Sequence, residues 1–123
     1  MPDSTEIGKA AEKSAAKYLK KLGFKVIEMN YREPSGEIDI IAKEGKCLVF
    51  VEVKSRSSSG HGWPEEFVDK KKQSKIVKTA LQYLKKEKLD DSEVRFDVLT
   101  IDSASDEISL IKSAFETSSE YTY

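Results

Sequence analysis

The chain has 123 residues, enough for one domain with a single modest core and too few for two. Hydrophobic residues make up 38% and charged ones 35%, which excludes disorder throughout, and no apolar run approaches the ~20 residues of a membrane-spanning helix. A net charge of −1 is not that of a dedicated polyanion binder, but it is unevenly spread: residues 1–88 carry 19 Lys and Arg against 13 Asp and Glu, and residues 89–123 carry 2 against 9.

Met1 to Glu6 is polar and has no apolar segment of the signal-peptide kind, so the expected location is cytoplasmic. Asp3 and Glu6 have the spacing of a capping pair. Ile7, Ala10, Ala11, Ala15, Tyr18, Leu19 and Leu22 recur at three- and four-residue intervals and predict an amphipathic helix stopped by Gly23. Phe24 to Met29 alternates as a strand, Glu33 to Gly36 is a turn, and Ile38 to Ala42 is a second strand. Lys43 to Lys46 is a tight connection into a third strand, Cys47 to Val53, which pairs with the second as an antiparallel hairpin. Ser55 to Gly62 is polar and Gly-rich and predicts a flexible loop, a candidate lid, with His61 and Trp63 beside it. Ile76, Val77, Ala80, Leu81 and Leu84 mark a second helix, from Pro64 or Asp69 to Lys88. Val94 to Ile101 and Glu107 to Ile111 are a fourth and a fifth strand. This order implies one α/β domain over residues 1–114, a mixed central sheet flanked by helices, followed by a flexible tail at 115–123.

Period-two alternation sets Cys47, Val49, Val51 and Val53 on one face of the third strand and Leu48, Phe50, Glu52 and Lys54 on the other. At ~3.3 Å per residue, Glu52 and Lys54 have Cα atoms about 7 Å apart, near enough for both side chains to converge on one bound group. Asp39, on the strand before, comes alongside the Glu52 end of the hairpin. Two carboxylates held together repel unless a cation lies between them, and hard oxygen ligands suit Mg²⁺ or Mn²⁺. The residues alone leave two readings open: a divalent-metal site with a lysine beside it, or a surface ion pair worth ~0–1 kcal/mol. Glu37 is expected to point away from Asp39 as a solvated acid. The single Cys47 excludes an internal disulfide and a Cys/His zinc cluster and reads as a small packed hydrophobe. Asp97, between Phe96 and Val98, fits either a structural ion pair or a site role.

Several runs together carry a resemblance. They are Gly8 and Glu12 on the first helix, Asn30-Tyr31-Arg32, Gly36 to Ala42 (GEIDIIA), Val49 to Arg56 (VFVEVKSR) and Arg95 to Val98 (RFDV). The series, spanning Ile7 to Ile101, resembles the YraN family of small bacterial proteins, regarded as endonucleases similar in fold to archaeal Holliday junction resolvases. Asp39, twelve residues, then Glu52-Val53-Lys54 resembles the D…(D/E)xK signature of the restriction-endonuclease-like superfamily, with Ile38 where that superfamily has Pro.

The resemblance implies a restriction-endonuclease-like fold and hydrolysis of DNA phosphodiesters with Mg²⁺ or Mn²⁺, in branched or structured DNA. It implies that Asp39 and Glu52 hold the metal, with the Val53 carbonyl and the helix acid Glu12 as further ligands. Lys54 would position or deprotonate the attacking water. Resolvase-like enzymes act as homodimers, since two strands must be cut symmetrically. Candidate phosphate contacts are Arg56, Lys70, Lys71, Lys72, Gln73 and Lys75, with Lys78 further along the same helix. The alternative is a nucleic-acid-binding module on the same fold with little or no catalysis, and a third class is an interaction domain whose carboxylates are only solvated surface.

Overall fold

The computed structural model describes residues 4–56 and 69–115. The chain forms α1 (Ser4–Lys21), β1 (Lys25–Glu33), β2 (Gly36–Glu44), β3 (Cys47–Arg56), α2 (Lys70–Lys86), β4 (Glu93–Asp102) and β5 (Ile108–Phe115). The five strands lie in the order β1-β2-β3-β4-β5, antiparallel throughout except that β3 and β4 run parallel. A parallel neighbour requires the chain to return to its starting end, and α2 lies in that crossover. The result is the mixed sheet flanked by two helices that the element order implies. Among the described residues no helix is long and apolar enough to cross a membrane.

Each helix covers one face of the sheet. On one side Ile76, Val77, Ala80, Tyr83 and Leu84 of α2 pack on Tyr31, Ile38, Ile41, Leu48, Phe50, Phe96, Val98 and Phe115. Edge and stacked aromatic contacts run across that face from Tyr31 through Tyr83, Phe50 and Phe96 to Phe115. On the other side Ala15, Ala16 and Leu19 of α1 pack on Ile40, Ala42, Val49, Val51 and Leu99. The expected stripe of α1 is narrower in fact: Ala10 and Leu22 are exposed, and the alanines let the helix lie close to the sheet. Gly23 ends α1 as its position predicts. At φ 96° it turns the chain so that its own N–H reaches the Lys20 carbonyl and the Phe24 N–H reaches Leu19, satisfying two open carbonyls.

The strands outrun their apolar alternation. β1 continues past Met29 because Tyr31, Arg32 and Glu33 pair with Ile38, Glu37 and Gly36, leaving only Pro34 and Ser35 in the turn. Gly36 permits that turn to press on α2: a Cβ there would sit 3.2 Å from Thr79 Oγ1, and Ser35 Oγ hydrogen-bonds Thr79 Oγ1 and donates to Gln82 Oε1. Ser55 and Arg56, assigned by the sequence to a loop, are strand, paired with Ile101 and Asp102. β5 runs beyond Ile111 to Phe115, which stacks on Phe96 at 5.1 Å between centroids. Asp69, not Pro64, is the start signal of α2; its carboxylate accepts from the Lys72 N–H at 2.8 Å. The Asp3 cap, the lid with His61 and Trp63, and the tail beyond Phe115 lie outside the described residues.

Asp97 is fully buried, and its role is structural. The β4–β5 register slips between Phe96 and Val98, and the Ser113 N–H donates to Asp97 Oδ1 at 3.0 Å. Arg95 closes on the same carboxylate through Nε and Nη2 at 2.8 and 2.9 Å and reaches Glu44 with Nη1, while Lys112 also pairs with Glu44. Removing Asp97 leaves the Ser113 N–H without its acceptor and the largely buried Arg95 with Glu44 as its remaining partner. Asp97→Ala is therefore expected to lower stability by about 3–5 kcal/mol, read as a shift in the urea unfolding midpoint.

Candidate functional site

The site forms where the β2–β3 ladder stops. Register pairs run from Glu44↔Cys47 to Ile40↔Val51 and go no further, and the next free donor on β3, the Val53 N–H, is taken by Asp39 Oδ2 at 2.8 Å. A side chain here replaces a backbone acceptor. The alternation of β1 and β2 breaks at the same point. Tyr31 and Ile38 face α2, whereas Met29 and Ile40, each two residues away, belong to the α1 side, and Asn30 between them adopts φ 56°. Asp39 thus sits where the pleat slips, with its carboxylate reaching across to β3.

Carboxylates meet Asp39 from both layers. Glu12 of α1 and Glu37 of β2 bring carboxylate oxygens within 4.8 Å of one another and of Asp39. The expectation that Glu37 points away is overturned: where the pleat slips, its carboxylate comes within 4.8 Å of that of Asp39. Glu52 lies on the α2 side, 7% exposed, and with Gly36, Glu37, Asp39, Lys72, Lys75 and Ile76 it lines a cavity of about 180 Å³. A second cavity of about 230 Å³, lined by Gly8, Lys9, Glu12, Asn30, Arg32 and Glu37, adjoins the same acids. Burial and the neighbouring Glu52 push the Asp39 carboxyl up to about 7; the Val53 N–H works against the rise, and Glu12 and Glu37 add to it.

Two lysines answer Glu52. Lys72 Nζ stands 2.7 Å and Lys54 Nζ 3.6 Å from the same atom, Glu52 Oε1. Burial and the adjacent Lys72 ammonium lower the Lys54 pKa against the pull of Glu52 and Asp39. For Lys72 burial is outweighed by its bonds to Glu52 and Lys54, and its pKa rises.

Of the predicted site residues, Glu12 and Asp39 bring their carboxylates together with that of Glu37, Lys54 pairs with Glu52, and Val53 takes part through its N–H and not the carbonyl expected. Among the candidate phosphate contacts, Lys72 is turned into the site, Lys75 is exposed and lines the cavity, and Lys70 and Lys71 are exposed on the first turn of α2. Gln73 is half-buried, its N–H bonded to the Asp69 carbonyl, and Arg56 ends β3. Glu37 was set aside as a solvated acid, and Lys72 was singled out as a phosphate contact and not as the partner of Glu52. Glu37 was legible from its spacing to Asp39, whereas Lys72 depends on the crossover that lays α2 against β3. The all-oxygen donor set of Glu12, Glu37 and Asp39 could hold a metal ion.

Residues 11–101 match the model of the Uncharacterised protein family UPF0102, which is the YraN family. The chain is similar to a UPF0102 protein of Persephonella marina, 45% identical over 109 residues, covering 89% of this chain and 92% of that protein. It is likewise 45% identical over 118 residues to one of Syntrophus aciditrophicus (94% and 93%) and 48% identical over 99 residues to one of Sulfurihydrogenibium (80% and 86%). Among solved structures, SfsA of Pyrococcus furiosus, determined in complex with Ca²⁺, aligns with a TM-score of 0.36 and 20% identity. That alignment covers 94% of this chain and 66% of SfsA.

The raised Asp39 carboxyl gives the fold a pH dependence of definite sign. Between about pH 4 and pH 7 the unfolded chain has lost this proton while the folded one still holds it, so stability falls as pH rises through that window. Asp39→Asn keeps an acceptor for Val53 and has no proton to lose. In chelator at pH 8 the variant is expected to be more stable than the wild type by on the order of 2–4 kcal/mol, with the gap closing toward pH 4. Denaturant titrations across that range measure it.

Proposed function

The chain belongs to the uncharacterised protein family UPF0102, and from the site its fold assembles we propose that it is a metal-dependent endonuclease, hydrolysing phosphodiester bonds in branched or otherwise structured DNA. The observation that carries this reading is the Asp39 carboxylate, held on the Val53 N–H between Glu12 and Glu37 on one side and Glu52 with its two lysines on the other. Acids partly buried and crowded together are what a divalent cation would relieve.

Asp39 and Glu52 would hold Mg²⁺ or Mn²⁺, with Glu12, Glu37 and the Val53 carbonyl available to complete the shell. The bound ion would supply charge neutralisation at the phosphate and a more acidic water. Lys54, beside Glu52, is placed to orient or deprotonate that water and to steady charge on the phosphate.

The first turn of α2 supports a polyanion as substrate. It carries Lys70, Lys71 and Lys72 and no acidic residue. Cations there oppose the helix dipole and cost stability by themselves, a cost that phosphates would offset. Lys75 on α2, lining the cavity, extends the same basic rim, and Arg56, the last residue of β3, is a further candidate contact. A homodimer would present two such sites to the two strands of a junction.

A four-way DNA junction and a linear duplex, each incubated with the protein in Mg²⁺ or Mn²⁺, test the reading. Lys54→Ala is expected to abolish cleavage yet keep the metal's effect on melting, whereas Asp39→Asn and Glu52→Gln lose both. At about ten times its dissociation constant the ion should add about 1.4 kcal/mol, a rise of several degrees in Tm. Equal melting in Mn²⁺ and in chelator would remove the metal, and normal cutting by Lys54→Ala would remove the assigned role of Lys54.

A further inference from the structure

Glu52 is bound to a cation that comes from another element. Lys54 is two residues away on the same strand, yet its ammonium stands 3.6 Å from Glu52 Oε1, while Lys72 reaches over from α2 to 2.7 Å. The two side chains differ in freedom. The Glu52 side chain is 7% exposed, fixed on β3, whereas that of Lys72 is 42% exposed and approaches from the solvent edge of the cavity on a long flexible stem. A buried carboxylate needs a partner, and Lys72 supplies it in the absence of metal. A divalent ion drawing on the same carboxylate competes with an ammonium at hydrogen-bond distance, since the two cations repel each other at such close quarters.

We propose that Lys72 is a stand-in cation: it occupies Glu52 until a metal ion arrives, and is then released to bind a phosphate of the DNA. This rests on the metal-dependent reading above and adds its regulation. The released ammonium has its destination at hand, because Lys75 lines the same cavity and Lys70 and Lys71 are exposed on the same helical turn. Lys54 stays with the water. The exchange couples the two ligands: metal frees a phosphate-binding group, and by linkage DNA that holds Lys72 raises metal affinity by the same factor. A plain anchor between α2 and β3 would produce no such coupling, and its loss would loosen Glu52 and weaken the metal.

Lysine acylation of the full chain, read by mass spectrometry in chelator and in Mg²⁺ at concentrations that saturate the melting shift, tests the exchange. Lys72 is expected to label slowly in chelator and several-fold faster in Mg²⁺, with Lys71 and Lys75 unchanged, and Glu52→Gln should label fast at Lys72 in both. A second measurement uses a fluorescein-labelled four-way junction, with Lys54→Ala as the background so that the DNA stays whole. There Lys72→Met should bind Mg²⁺ at least as tightly as its parent but lose most of the Mg²⁺-induced gain in junction affinity, and Lys72→Arg should retain that gain. Lys72 labelling that Mg²⁺ leaves unchanged, or a Lys72→Met variant that binds Mg²⁺ several-fold more weakly, overturns the exchange and leaves the nuclease reading standing. Absence of any Mg²⁺ melting shift refutes the metal-dependent reading and the exchange with it.

Discussion

The hydrogen bond from the Val53 N–H to Asp39 Oδ2 is the constraint on which the site depends. Strands that part must leave donors open, and an open donor in a half-buried place is costly. Asp39 meets that need with a carboxylate, which holds the two strands together at the point where their ladder ends. Its placement also makes it common to both layers. Glu12 approaches from α1, whereas Glu52 faces α2, and without an acid at the break in the pleat these two would lie on opposite sides of the sheet. The arrangement has a cost, since Asp39 is crowded by Glu52, Glu12 and Glu37 and resists losing its proton.

A second polar cluster shows what the same residue types do when stability alone is served. Around Asp97 and Glu44 the two acids are met by Arg95 and Lys112, with the Ser113 N–H completing Asp97. Arg95 and Lys112 also lie over the ring of Phe24. Charge there is balanced. At the other cluster Glu12, Glu37, Asp39 and Glu52 face Lys54 and Lys72, with Arg32 on the outer side of Glu37. Among the described residues no buried side-chain nitrogen or oxygen lacks a partner, so what sets this cluster apart is the crowding of like charges around Asp39.

The sequence carried the parts of this that depend on short-range periodicity. Alternation along Cys47 to Lys54 placed Glu52 and Lys54 on one face, the Gly23 stop is where it should be, and a short connection made β2 and β3 a hairpin. Strand ends were less legible. Tyr31 to Glu33 and Ala114 to Phe115 are held by partners distant in sequence, and Asp97 belongs to a bulge that single-strand alternation cannot show. The misplacement of Glu37 has a different source, since two-residue spacing already put it beside Asp39. Lys72 was visible only as one lysine in a basic run, because what singles it out is the crossover that sets α2 against β3.

That crossover also sets the charge around the site apart from the chain's net charge of −1. In a sheet with one parallel pair, the chain leaves the carboxyl end of β3 and must enter β4 at the other end, so α2 begins near the site and runs away from it. The lysines of its first turn therefore gather beside Glu52. Asp90, Asp91 and Glu93 precede or open β4, level with Cys47 at the far end of β3. Asp102, level with Arg56, is engaged in its own turn, accepting from the Ala104 and Ser105 N–H groups. A polyanion meets the local field at the carboxyl end of β3, not the sum over the chain, and within a Debye length of about 8–10 Å that field is set by the acids of the site and the basic turn beside them. An ion that neutralised those acids would leave the same surface cationic.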